Sequence, residues 1–174
     1  MHLDGMTLIQ THHSTETSMI KYVIGIDCGV NTGFAVQDQS RMELIEVTTL
    51  SAHEAWNKVR HFIHVYGKDA IYLRYEDAHL REWLGKAGKN QLQGAGSIKR
   101  DSSLWEEFCE MEGLQYDKVA PKHIRTKCST EYFKRVTGWK KATNEHGRDA
   151  AMMIYQFRPI PKVSHTSQVP AKKF

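Results

Sequence analysis

Cysteine is scarce in this sequence and carries no pattern. Cys28, Cys109 and Cys128 are an odd, scattered set with no CxxC pair, which argues against a disulfide framework or a zinc knuckle and points to a reducing, cytoplasmic compartment. No apolar run approaches the roughly 18 residues of a membrane span, so no membrane partner is expected. The N-terminus lacks the basic end and apolar stretch of a secretory signal. Internal repeats and low-complexity blocks are absent too. Apolar residues are not lacking: 40% of positions are hydrophobic and 10% aromatic, which excludes a wholly disordered chain. A length of 174 residues corresponds to one domain.

Acid is scarce in three places. Residues 79–100 hold five Lys/Arg against one acid, residues 118–148 hold nine against two, and residues 158–174 hold four and none. Residues 102–117 reverse the pattern, with five acids and no base. Such segregation suits a polyanionic partner as well as an ordinary solvated surface.

Residues 1–18 are polar and aperiodic and read as a flexible extension; residues 159–174 read as a flexible basic tail. Between them lies one domain, residues 19–158. Its first element, Tyr22 to Asp27, is apolar and β-branched, a buried strand. Residues 28–33 read as a turn, a second strand starts at Phe34, and a third runs from Met42 to Thr48. Ser51, with Glu54 three residues on, is a capping box opening a helix to about Tyr66. A fourth strand covers Ala70 to Tyr75. Residues 79–96 read as a loop entering a helix that continues through Leu104, Trp105, Phe108 and Met111 to Gly113. A fifth strand, Leu114 to Val119, stops at Pro121. Short helices near 121–136 and a last helix from Asn144 to Gln156 complete an α/β layered domain.

Acids stand at the ends of these elements. Asp27 closes an apolar strand, where a carboxylate must be hydrogen-bonded, paired or on a metal unless it is simply exposed at a turn. Glu76 and Asp77 close another strand. Neighbouring strand residues face opposite ways; Leu73 and Tyr75 fit the core face, which would also take Asp77, so alternation leaves the pair undecided. His146 and Asp149 are three apart and share one face of the last helix, where an acid also suits the helix dipole. Two carboxylates at strand ends with a His/Asp pair would suit a hard, oxygen-ligated cation such as Mg²⁺.

These residues lie in three ordered motifs. Val23-Ile24-Gly25-Ile26-Asp27-Cys28-Gly29 followed by Thr32-Gly33, then Tyr75-Glu76-Asp77-Ala78-His79, then His146-x-x-Asp149-Ala150-Ala151 resemble those of the RuvC-type Holliday-junction resolvases, within the ribonuclease-H-like nucleases, and most of all the small phage or prophage forms. Leu92-Gln93-Gly94-Ala95-Gly96, and Tyr116 to Val119 with Ala120-Pro121-Lys122, resemble further family segments, so the likeness spans about residues 22–157. The resemblance implies a five-stranded mixed sheet of order 3-2-1-4-5 flanked by helices. It implies Asp27, Glu76, His146 and Asp149 as catalytic and metal-binding residues, and it favours Glu76 over Asp77. It further implies two ions per site, Mg²⁺ with Mn²⁺ also active, and a homodimer that makes paired cuts in a four-way DNA junction. Family members place basic residues after the fifth strand; Arg125 is the best match, beside Lys122 and Lys127. Where they carry a base-stacking aromatic, this sequence has His79, with Trp83 near. The expected nucleic-acid contacts are His79, Arg81, Lys86, Lys89, Lys99, Arg100, Lys122, Arg125, Lys127, Lys140 and Lys141. The rival readings are a nuclease of the same superfamily acting on other branched DNA or RNA–DNA hybrids, and a non-catalytic nucleic-acid-binding module. An actin-like phosphotransferase would need about twice this length.

Overall fold

The computed structural model describes residues 19–80, 89–121 and 127–160, and of residues 89–95 and 98 the backbone alone. Residues 1–18 and 161–174 of the expected flexible ends, and Arg81, Lys86, Lys122 and Arg125, lie outside these residues. Five strands form one sheet: β1 (Tyr22–Asp27), β2 (Thr32–Asp38), β3 (Glu43–Leu50), β4 (Ile71–Glu76) and β5 (Gln115–Val119). Their order is β3-β2-β1-β4-β5. The first three strands pair antiparallel, and β4 runs parallel to both β1 and β5. This is a five-stranded mixed sheet in the order expected.

Both faces of the sheet are covered. On one, α1 (Ala52–Tyr66) and α2 (Lys89–Glu112) pack Val59, Trp105 and Phe108 onto Ile24, Ile26, Phe34, Leu73 and Tyr75. On the other, α4 (Glu145–Ile154) and α3 (Thr130–Thr137) pack Ala150, Ala151, Ile154 and Phe133 onto Val23, Ala35, Val47 and Tyr72. Helix α1 opens with the expected capping box: Ser51 accepts from the Glu54 amide and Glu54 from the Ser51 amide. Gln37, fully buried, donates to the Phe157 carbonyl and accepts from the Gln156 amide, holding the chain where it leaves α4. Among the described residues no helix is long and apolar enough to cross a membrane.

Three boundaries differ from expectation. Strand β2 begins at Thr32 rather than Phe34, because Thr32 Oγ1 donates to the Gly29 carbonyl and Gly33 pairs opposite Asp27. Helix α2 reaches back to Lys89, through a glycine-bearing stretch that read as a loop. Helix α4 ends at Ile154 rather than Gln156.

Candidate active site

Parallel pairing of β1 with β4 sets Ile26 beside Tyr75, so Asp27 and Glu76 close adjacent strands at the same end of the sheet. Val23 in β1 and Tyr72 in β4 pack on the α4 side. By period-two alternation Asp27 and Glu76 share that side. Asp77 belongs to the opposite face and is 4% exposed. The ambiguity met in the sequence arose because the sheet has two apolar faces: Leu73 and Tyr75 lie on the α1–α2 face, and Glu76 does not.

The α4 N-terminus arrives over this strand end. Asn144 caps it, its side chain accepting from the Gly147 amide. Two glycines let the helix come so close. A Cβ on Gly33 would lie 2.0 Å from the His146 carbonyl oxygen, and one on Gly25 would lie 2.3 Å from that of Ala150. Backbone cannot give way as a side chain can, so these glycines set the height of α4 above the sheet. That close seating brings His146 Nδ1 to 2.9 Å from Asp27 Oδ2. An ionised carboxylate only accepts, so Nδ1 carries the proton and Nε2 remains for another partner.

Electrostatically the four residues behave as one group. Burial raises the Asp27 pKa, and the negative charge of Asp149 adds to the rise; hydrogen bonds to His146 and Glu76 and the His146 charge work against it. Asp149 is likewise raised by burial, opposed by its bond from the Lys127 amide and by the charges of Arg148 and His146. The Lys127 amide lies 2.9 Å from Asp149 Oδ1, and Arg148 Nε donates to the Cys128 carbonyl at 3.0 Å. Helix α4 thereby fastens the segment that leads into α3. Cys28 is held far above the ordinary thiol pKa by burial and by the charges of Asp27 and Glu76. It is a protonated thiol at neutral pH, not a nucleophile or a thiolate ligand.

The donor chemistry fits a divalent cation: three carboxylates with hard oxygens, Asp27 and Asp149 raised by burial, plus one imidazole. As the side chains stand, Asp27 is bonded to His146 and Asp149 to the Lys127 amide. Among the described residues no set of three His, Cys, Asp or Glu side chains is arranged to hold a metal ion.

One residue supporting this end of the sheet went unnoticed in the sequence. Ser102 Oγ on α2 donates to the Glu76 carbonyl at 3.2 Å and accepts from the Ala78 amide at 3.3 Å, pinning the end of β4. Its signal was available: a serine on the helical stripe of Trp105 and Cys109. Of the expected nucleic-acid contacts, His79 is half exposed just beyond β4. Lys99 and Arg100 lie three and two residues before Ser102 on α2, and Arg100 is 3.7 Å from Asp101. Lys127 sits at φ +58° beside Asp149. Lys140 and Lys141 are exposed between α3 and α4, and Lys141 Nζ lies 5.8 Å from the Trp139 ring centroid. Lys89 opens α2.

No protein-family model and no curated protein matches the chain. Among solved structures, T. thermophilus RuvC in complex with Holliday junction substrate is similar, with 13% identity and a TM-score of 0.49 over 76% of this chain and 89% of that one.

Proposed function

We propose that the protein is a cytoplasmic, metal-dependent endonuclease that resolves four-way DNA junctions by paired hydrolysis of phosphodiester bonds, acting as a homodimer. One observation carries the reading: β1, β4 and α4 bring Asp27, Glu76, His146 and Asp149 to a single end and face of the sheet, linked through Asp27. Asp27, Glu76 and Asp149 would hold Mg²⁺ or Mn²⁺, two ions per site. Bound there, the ions supply Lewis-acid charge for the attacking and leaving oxygens. His146, fixed at Nδ1 by Asp27, offers Nε2 to orient the attacking water or to complete the ligand set, and imidazole suits Mn²⁺ better than Mg²⁺. The Lys127 amide and the Arg148 guanidinium hold Asp149 and the neighbouring chain in place. Basic side chains on α2 and between α3 and α4 would neutralise flanking phosphates.

A broader branched-DNA nuclease is the second reading, favoured by His79 at the position where the resembled family carries an aromatic. A panel of labelled substrates (four-way junction, flap, duplex and RNA–DNA hybrid), with and without divalent ion, separates the two. Symmetric incision of the junction alone supports the resolvase. Equal cutting of the flap supports the broader nuclease, and no cutting of any substrate contradicts both.

A further inference from the structure

The ladder that joins β1 to β4 stops short of the two acids these strands carry. Its last pair is Ile26 with Tyr75, and Asp27 and Glu76 stand one residue beyond it. Strand pairing therefore does not set their separation. The separation matters all the same: the Asp27 and Glu76 side chains are hydrogen-bonded to one another, and two carboxylates share an ion only at a fixed spacing. Ser102 takes over where the ladder ends. It is 1% exposed and lies on α2, three residues before Trp105, which is packed on the α1–α2 face of the sheet. Its Oγ donates to the Glu76 carbonyl at 3.2 Å and accepts from the Ala78 amide at 3.3 Å. Its third partner is the thiol of Cys28, the residue directly after Asp27. A hydroxyl has one proton to give and two lone pairs to fill. Here all three are used, the first toward Glu76 and the other two by Ala78 and the neutral thiol. The Asp77 amide also holds this turn, donating to the Val119 carbonyl at 2.9 Å, but that bond ties β4 to β5. Ser102 ties β4 to β1.

We propose that Ser102 is a positioning residue: it holds the ends of β1 and β4 at the spacing at which Asp27 and Glu76 together take a divalent cation. The proposal rests on the metal-dependent reading above. Helix α2 covers the face of the sheet opposite α4, so Ser102 works from behind the carboxylates. It acts through the Cys28 thiol and through the main chain at Glu76 and Ala78. Without the hydroxyl, the Glu76 carbonyl and the Ala78 amide lose a partner in a buried turn. Buried main-chain groups are driven to find another, and the end of β4 shifts with Glu76 on it.

The test is calorimetric titration of Mn²⁺ into the metal-free full chain. Ser102→Ala should bind Mn²⁺ about tenfold more weakly than wild type, the low end of what losing a ligand's outer partner does. Its affinity for a four-way DNA junction in EDTA should be unchanged. Two further variants separate positioning from a general loosening of α2. Cys109→Ala removes a buried side chain from the same stripe, two turns along the helix; it should melt lower than wild type and bind Mn²⁺ equally well. Cys28→Ala leaves the serine its two main-chain bonds, so the turn stays intact. It should weaken Mn²⁺ binding about threefold in the wild-type background and not at all in Ser102→Ala, because the two changes break one link. Wild-type Mn²⁺ affinity in Ser102→Ala, or an equal loss in Cys109→Ala, overturns the proposal while the metal site stands. If melting curves show that Ser102→Ala does not fold, wild-type Mn²⁺ affinity in Cys28→Ala overturns it instead. If wild type itself takes up no Mn²⁺, the metal-dependent reading has failed and takes this proposal with it.

Discussion

Asp27 stands where three other ionisable side chains meet, and its raised pKa has a measurable consequence in metal-free protein. A carboxyl whose folded-state pKa lies above its ordinary value of 3.8 weakens the fold as pH rises through the interval between the two. The penalty is absent below that interval and complete above it. Asp27→Asn keeps the shape and an acceptor oxygen for His146 but removes the charge. In EDTA at neutral pH it should therefore melt above wild type, and the gain should vanish as pH falls below about 4. Mg²⁺ or Mn²⁺ should raise the melting temperature of wild type and not of the variant. A variant that melts lower at every pH would show that the Asp27 charge stabilises this end of the sheet. At this scale the sequence was only partly legible. Asp27 could be picked out as a carboxylate ending an apolar strand, and His146 with Asp149 as a helical pair. Alternation alone could not separate Glu76 from Asp77, because which apolar face faces α4 is a property of the packed sheet. Ser102 was legible only as a serine on the apolar stripe of its helix.

At the scale of elements, the site depends on how low α4 sits over β1 and β2. Gly33→Ala would put a Cβ 2.0 Å from the His146 carbonyl oxygen. Overpacking of this kind costs about 1–3 kcal/mol, and relief must come from lifting the α4 N-terminus. Cleavage should accordingly fall by more than the loss of folded protein explains, because His146 moves off Asp27. Denaturant melts alongside turnover of a labelled junction check this; equal losses in both would mean that the helix height does not matter to the chemistry. The elements with strong local signals were readable in advance: β1 from its β-branched run, and α1 from the Ser51–Glu54 box. The start of α2 was not, since glycine and basic residues near 89–96 favour a loop locally while packing of Trp105 and Phe108 on the sheet supports the helix as a whole. The close approach at Gly25 and Gly33 was likewise invisible, because the sequence shows a small residue but not what comes down on it.

For the whole molecule, the basic segments predict an electrostatic association. Residues 79–100 and 118–148 hold fourteen Lys/Arg, and affinity for a junction should fall with salt at a slope of about −0.9 per phosphate neutralised. A flat response in fluorescence anisotropy would remove DNA as the partner of those segments. Paired incision calls for two sites related by a two-fold axis. The apolar face of α2, the candidate dimer surface, is divided: Trp105 and Phe108 are buried against the sheet, while Leu104 and Met111 remain 39% and 66% exposed. Sedimentation at micromolar concentration should give about twice the 20.0 kDa chain mass, and a strict monomer would favour the broader branched-DNA nuclease. The central claim, that Asp27, Glu76 and Asp149 form one metal-dependent hydrolytic centre, is tested most directly by cleavage of an end-labelled four-way junction with Mn²⁺ or Mg²⁺. Wild type is compared with Asp27→Asn, Glu76→Gln and Asp149→Asn. Loss of a ligand's outer partner already costs about 10–100-fold, so each variant should lose more than about a hundredfold in cleavage while still binding the junction. Wild-type cleavage by the Glu76→Gln variant, or cleavage by the native protein that persists in EDTA, would contradict the account.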